Sequence, residues 1–212
     1  LLFSYIFTKL PKFKEAVKKS NSMIFSPSSF FIYMKEQSLI TNTNTFLIGF
    51  FTSLGTSIFF ASLFYFYRDN QSWDMLLSNI ISSDSFKNVI ANNLNSPLSG
   101  ILIITIFLFF SLFLNVFILS ILSLILKHKF NFKVFFAISV WSTYPFVIFL
   151  VIGTILYRAA SFNSIFIDIS VYIYIFFVIL WLIRLLGGIK FFFEYNELKA
   201  VIIGFILIIF TF

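Results

Sequence analysis

The chain of 212 residues has no cysteine, one histidine, four prolines and seven glycines, and only 11% of it is charged. Without cysteine it has no disulfide, no thiolate metal site and no cysteine nucleophile. A single histidine excludes a multi-histidine haem or zinc cage within the chain. Soluble domains are about 25% charged, so the shortage of charge excludes an ordinary soluble domain. The acidic residues are fewer than the basic ones, 8 against 15, and no carboxylate lies in the middle of a long apolar run. Intramembrane catalysis needs paired carboxylates, clustered histidines or an activated serine, so no enzyme, no catalytic residue, no metal and no cofactor is expected.

What is present is apolar surface. Sixty percent of the residues are hydrophobic, 35 are phenylalanine, and the mean hydropathy is +1.01. The longest run, Ile101–Leu126, carries no charge and is apolar all round. As a helix it exceeds the roughly 30 Å of a bilayer's hydrocarbon core. A helix in water hides only one face, so lipid is the solvent here. The abundance of Phe, Ile and Asn suggests an AT-rich genome and is given no chemical meaning.

The pattern predicts an all-α fold, a polytopic membrane helix bundle with five transmembrane helices and a short interfacial N-terminal helix. Residues 1–45 form a basic, partly amphipathic cytosolic arm, and 46–212 form the transmembrane domain. The spans are expected over 46–67, 100–126, 134–157, 165–186 and 198–212. Leu1–Leu10 does not read as a signal peptide, because the lysine cluster follows the apolar stretch instead of preceding it. Within the arm, Lys12–Lys19 can form a short helix behind Pro11. Pro27–Gln37 is expected to lie in the headgroup layer, its Phe30, Phe31, Ile32, Tyr33 and Met34 in apolar contact and its Lys35 and Glu36 in water. The polar loop 68–99 is expected to hold an interfacial helix near Trp73–Ile81.

Three sets of residues stand out inside the spans and at their ends. Gly49, Ser53, Ser57 and Ala61 recur every four residues, a small-residue seam where another helix can approach closely; a pore lining is the alternative. Asn115 lies mid-membrane, and Pro145 breaks the third span behind Ser142. An interhelical hydrogen bond and a static kink are the structural readings of these two; a transport path and a moving or binding element are the functional ones. Lys12, Lys14, Lys18, Lys19, Lys127, Lys129 and Lys133 are candidates for contact with anionic lipid. His128, alone among lysines, reads as a solvated loop residue. Asp168 and Arg184, near opposite ends of the fourth span, are expected to snorkel to water, and Gly187 with Gly188 to stop that helix.

The basic residues sort by side. Six lie in the arm, three in the 127–133 turn and three in 184–199, against three (Arg68, Lys87, Arg158) on the other side. This predicts an N-terminus inside. The excess of positive charge follows from topology, and no nucleic-acid partner is expected.

Four passages then carry a resemblance over Ser22–Phe212. They are FSPSSFFIYMKEQ (Pro27, Phe30, Phe31), the basic turn LILKHKFNFK, STYPF (Ser142, Pro145), and WLIRLLGGIKFFFEYNELKA (Trp181, Gly187, Lys199, Ala200). In this order they resemble the Yip-domain (Rab-interacting protein) superfamily of five-span membrane proteins, and the short basic arm resembles its prokaryotic-type members. Eukaryotic members are implicated in traffic between endoplasmic reticulum and Golgi and associate with Rab-type GTPases through an N-terminal region. The arm here departs from theirs, and the GTPase partnership is not carried over. The resemblance implies a non-enzymatic scaffold or accessory protein that binds other integral membrane proteins and membrane lipid. The alternatives are a permease-like transport component and an accessory subunit of a larger energy-converting complex. The expected location is a prokaryotic cell membrane, with an organelle membrane as the alternative.

Overall fold

The computed structural model describes residues 5–6, 9–36, 41–67, 96–125, 131–160 and 165–193. All the regular structure among them is helical. Two short helices come first, α1 (Pro11–Ser22) and α2 (Pro27–Glu36). They are followed by α3 (Asn42–Tyr67), α4 (Pro97–Ile125), α5 (Phe132–Ser142), a 3-10 turn (Tyr144–Ile148), α6 (Phe149–Ala160) and α7 (Ile165–Phe193). Three stretches are long and apolar enough to cross a bilayer: Asn42–Leu63, Leu98–Ile121 and Ile169–Phe191. Phe132–Ser142 and Tyr144–Leu156, bent by 47°, make a fourth if the pair is one broken span. The described residues therefore hold three spans, or four. The expected fifth, 198–212, lies outside them, as do the Trp73–Ile81 helix, Lys127, His128, Lys129, and the Lys199–Ala200 pair.

Helix starts follow capping chemistry more closely than loss of charge. Helix α3 begins four residues before the expected Phe46, because Thr41 receives the Asn44 backbone N–H on its hydroxyl at 3.1 Å. Helix α4 begins at Pro97, where a missing N–H costs nothing. Asn131 caps α5 by accepting from the Val134 N–H.

Helix α3 is the central post. One side meets α4: a Cβ on Gly49 would lie 3.4 Å from Leu112 and Phe109, and the Ser57 and Thr105 hydroxyls are 2.6 Å apart. The adjoining side meets the broken span more closely still. A Cβ on Gly55 would stand 3.0 Å from the Leu150 nitrogen and the Phe146 oxygen. One on Gly153 would stand 2.9 Å from the Phe59 nitrogen. Ser62 donates across this crossing to the Gly153 carbonyl at 3.2 Å. Small residues let backbones approach where lipid gives no hydrophobic drive, so packing and hydrogen bonds must hold the helices. Phe59 stacks on Phe149 with centroids 4.6 Å apart, and Phe149 meets Phe177 edge-on, which brings α7 into the same layer. Helices α4 and α7 leave most of their outward faces uncovered, including Phe107, Phe117, Tyr172 and Phe176.

Two expectations fail at α7. Gly187 and Gly188 do not end the helix, which runs on to Phe193. They are a notch. A Cβ on Gly187 would fall 2.5 Å from Pro27, and one on Gly188 would fall 2.8 Å from Phe31. Glycine is present because α2 lies against the helix there. Helix α2 accordingly does more than lie in the headgroup layer: Phe30, Phe31 and Met34 are fully buried against the bundle, while Lys35 and Glu36 are exposed.

Candidate functional site

The polar centre of the molecule is set by Pro145. Proline has no N–H, so the carbonyl four residues earlier, that of Trp141, loses its helical donor. In hydrocarbon an unsatisfied carbonyl costs several kcal/mol. The donor comes from α7. Arg184 directs Nε and Nη2 to the Trp141 oxygen at 3.4 and 3.3 Å, both long bonds, and Nη2 also donates to the Ser20 hydroxyl at 2.9 Å. Its guanidinium plane lies 4.8 Å over the Phe30 ring and 5.9 Å from that of Tyr144, contacts that stabilise a desolvated cation by about 2 kcal/mol. Arg184 is 0% exposed. The expected snorkelling does not occur: α1 and α2 roof the side chain over and remove its route to water.

Among the described residues Arg184 has no carboxylate partner and its Nη1 has no acceptor. Ser139 Oγ is the other buried polar atom without one. One further bond fastens the roof, and another lies beneath it between α5 and α3. The Tyr144 hydroxyl donates to Asn21 Oδ1 at 2.7 Å, and Trp141 Nε1 donates to the Thr45 hydroxyl at 3.4 Å. The Phe30 and Trp141 rings are 5.5 Å apart. On the outer surface of the roof, Tyr33 donates to Glu15, and Lys19 lies 4.7 Å over the Tyr33 ring. Bonding to the Glu15 carboxylate raises the Tyr33 pKa, with lesser contributions from desolvation and from the Glu15 charge.

The sequence-predicted residues divide around this centre. Ser142 and Pro145 are buried at the break, and the Ser142 hydroxyl donates to the Ile138 carbonyl at 2.6 Å. Gly49, Ser53, Ser57 and Ala61 are all buried along α3. Gly49 and Ser57 face α4 of the same chain, so that part of the seam is not open to another protein. Lys12, Lys14, Lys18 and Lys133 are exposed and Lys19 is half-buried. The Asp168 side chain lies outside what is described. Asn115, 5% exposed, lines a cleft of about 420 Å³ on the far side of the break, with Thr52, Ser53, Thr56, Ser111 and Thr143. Sequence reasoning misread Arg184 as snorkelling and missed Ser20, Asn21, Gly55 and Gly153. The signal for Arg184 was available: a proline inside a span implies an orphan carbonyl, and an arginine on a neighbouring span is a donor for it.

The architecture is that of a polytopic helical membrane protein with three or four spans, a helix pair bent at Pro145 and a helical N-terminal roof. The chain belongs to the Yip1 domain family, whose model matches residues 21–212. No curated protein and no solved structure matches it.

Proposed function

We propose that this protein is a non-enzymatic membrane scaffold, held with its N-terminal arm on the cytoplasmic side, that gathers anionic lipid and other integral membrane proteins. The observation that supports this reading is the fastening of the arm to the bundle through Arg184, Ser20, Asn21 and Tyr144. A tethered basic tail would sample lipid at random. This arm is seated instead, with Pro27 against Gly187 and Phe31 against Gly188 at the basic end of α7. Lys12, Lys14 and Lys18 then stand exposed on α1 at one rim, where each basic group near an anionic leaflet contributes about 1 kcal/mol. Among the described residues the outward faces of α4 and α7 are the main surfaces left for protein partners, since most of α3 is buried.

Native mass spectrometry of the intact protein, with phosphatidylglycerol and phosphatidylcholine in competition, tests the lipid half. Retention of the anionic lipid is expected to fall several-fold when Lys12, Lys14, Lys18 and Lys19 are all changed to Gln. Equal retention of both lipids by the unaltered protein overturns it. For the protein half, a homogeneous monomer in mild detergent that moves a solute across vesicles would replace the scaffold by a transporter.

A further inference from the structure

The cleft beyond the break is bounded by Thr52, Ser53 and Thr56 of α3, the Phe107–Asn115 face of α4, Thr143 and Phe146 at the break, and Tyr174 and Trp181 of α7. Its mouth and floor differ. Phe107, Phe110 and Leu114 at the rim are 72%, 65% and 46% exposed, whereas Thr52 and Leu112 inside are 2% and 5%. The opening therefore faces sideways into the hydrocarbon, part-way along the spans. No described residue lining it carries a charge at neutral pH. A molecule that enters is dissolved in the membrane and uncharged, because bringing an ion to this depth costs several kcal/mol.

The hydroxyls on the floor narrow the chemistry further. Thr56 donates to the Thr52 carbonyl at 2.8 Å, Thr52 to the Gly49 carbonyl at 3.0 Å, and Ser111 to the Leu108 carbonyl at 2.7 Å. Thr143 donates to the Val140 carbonyl at 2.8 Å and stands 3.2 Å from the Thr52 hydroxyl. A hydroxyl has one proton and two lone pairs. Thr52, Thr56 and Ser111 place their protons on backbone and Thr143 shares its own between the Val140 carbonyl and Thr52, so these oxygens meet the cleft as acceptors, while Asn115, Tyr174 and Trp181 on its other walls can donate. A row of buried acceptors favours a guest that donates. Phe107, Phe110, Phe146 and Trp181 supply the apolar wall for its body.

We propose that this cleft is a binding site for an uncharged lipid alcohol, a long hydrocarbon chain whose O–H donates to the Thr52–Thr143 pair. The volume falls within the range of small-molecule sites, about 300–1,000 Å³. The site involves neither the lysines nor the roof, although its mouth lies on the outward face of α4 that the scaffold reading leaves to protein partners.

The test uses the full protein in phosphatidylcholine nanodiscs with hexadecanol bearing a mid-chain diazirine, set against its methyl ether and the matching carboxylic acid. After photolysis, peptide mapping should place the alcohol on Phe107–Asn115 and Thr52–Thr56 at about ten times the yield of the ether and of the acid. That comparison needs no altered chain. In Thr52→Val combined with Thr143→Val, the advantage of alcohol over ether should disappear while the ether's own yield stays the same. Equal labelling by all three probes reduces the cleft to a groove for any acyl chain and overturns the proposal. So does the absence of label at the cleft. A third overturning result is complete disulfide formation between Phe110→Cys and Ile206→Cys, which would mean that the chain itself covers the opening; the cysteine-free background makes that experiment clean.

Discussion

The two sides of the break at Pro145 show opposite solutions to the same problem. On one side a freed carbonyl is met by a cation, three aromatic rings and a two-helix roof. On the other side the hydroxyls bond their own backbones and a cleft remains. A proline in a span creates one orphan acceptor, and only the side on which that acceptor falls must be sealed. The opposite side is free to vary. The sealed side therefore carries the stability, and the open side carries the capacity to bind.

Arg184→Ala is expected to break this contrast most. It removes the Arg184 donors from the Trp141 carbonyl and the Ser20 hydroxyl, and each buried polar group left short of a partner costs about 1–3 kcal/mol, with the lost ring contacts of the guanidinium in addition. Thermal unfolding in detergent should show a large drop, and trypsin should cut at Lys12, Lys14 and Lys18 many times faster. Arg184→Lys should recover only part of this, because a point charge cannot serve Trp141 and Ser20 with a planar fork. Next in size is Gly153→Leu, where α3 backbone stands 2.9 Å from the first added carbon; overpacking of this kind costs about 1–3 kcal/mol and should lower the midpoint without freeing the arm. Gly187→Leu should do the reverse, accelerating proteolysis of the arm with a smaller change in the midpoint, since Pro27 belongs to the roof and not to the post. On the open side, Thr52→Val with Thr143→Val should change stability least of these variants.

The smallest effect is an alkaline one. The Tyr33 pKa is raised in the folded protein, so the fold favours the protonated phenol. Its contribution is complete below the ordinary tyrosine pKa of about 10 and is lost as pH rises through the folded value. Arm cleavage should therefore quicken above about pH 10, and Tyr33→Phe should remove that step. A step that survives in Tyr33→Phe would assign it to another group.

Much of this was legible in the residues. The uncharged run at Ile101–Leu126 and the interruption at Pro145 were readable because lipid demands long apolar helices and proline has one fixed chemical defect. Arg184 was misread because its position along the helix suggested a route to water; what closes that route is α1 and α2, distant in sequence. Gly187 and Gly188 were misread because a glycine pair serves equally as a terminator or as space for a neighbour, and only the location of Pro27 and Phe31 decides between them. The Gly55–Gly153 crossing was missed because the four-residue row from Gly49 to Ala61 drew the eye to a different side of α3. In each case the missing information was tertiary.

The bond between Ser20 and Arg184 joins positions 164 apart in the chain. During synthesis the first two helices leave the ribosome long before their seat exists, since both the break and the fourth hydrophobic segment must be inserted first. The roof thus closes only after α7 has been made, and its closure reports that Trp141, Tyr144 and Arg184 are in place beneath it. A cell that degrades unfinished membrane proteins could use an unclosed arm, with its accessible lysines, as the mark of an incomplete molecule.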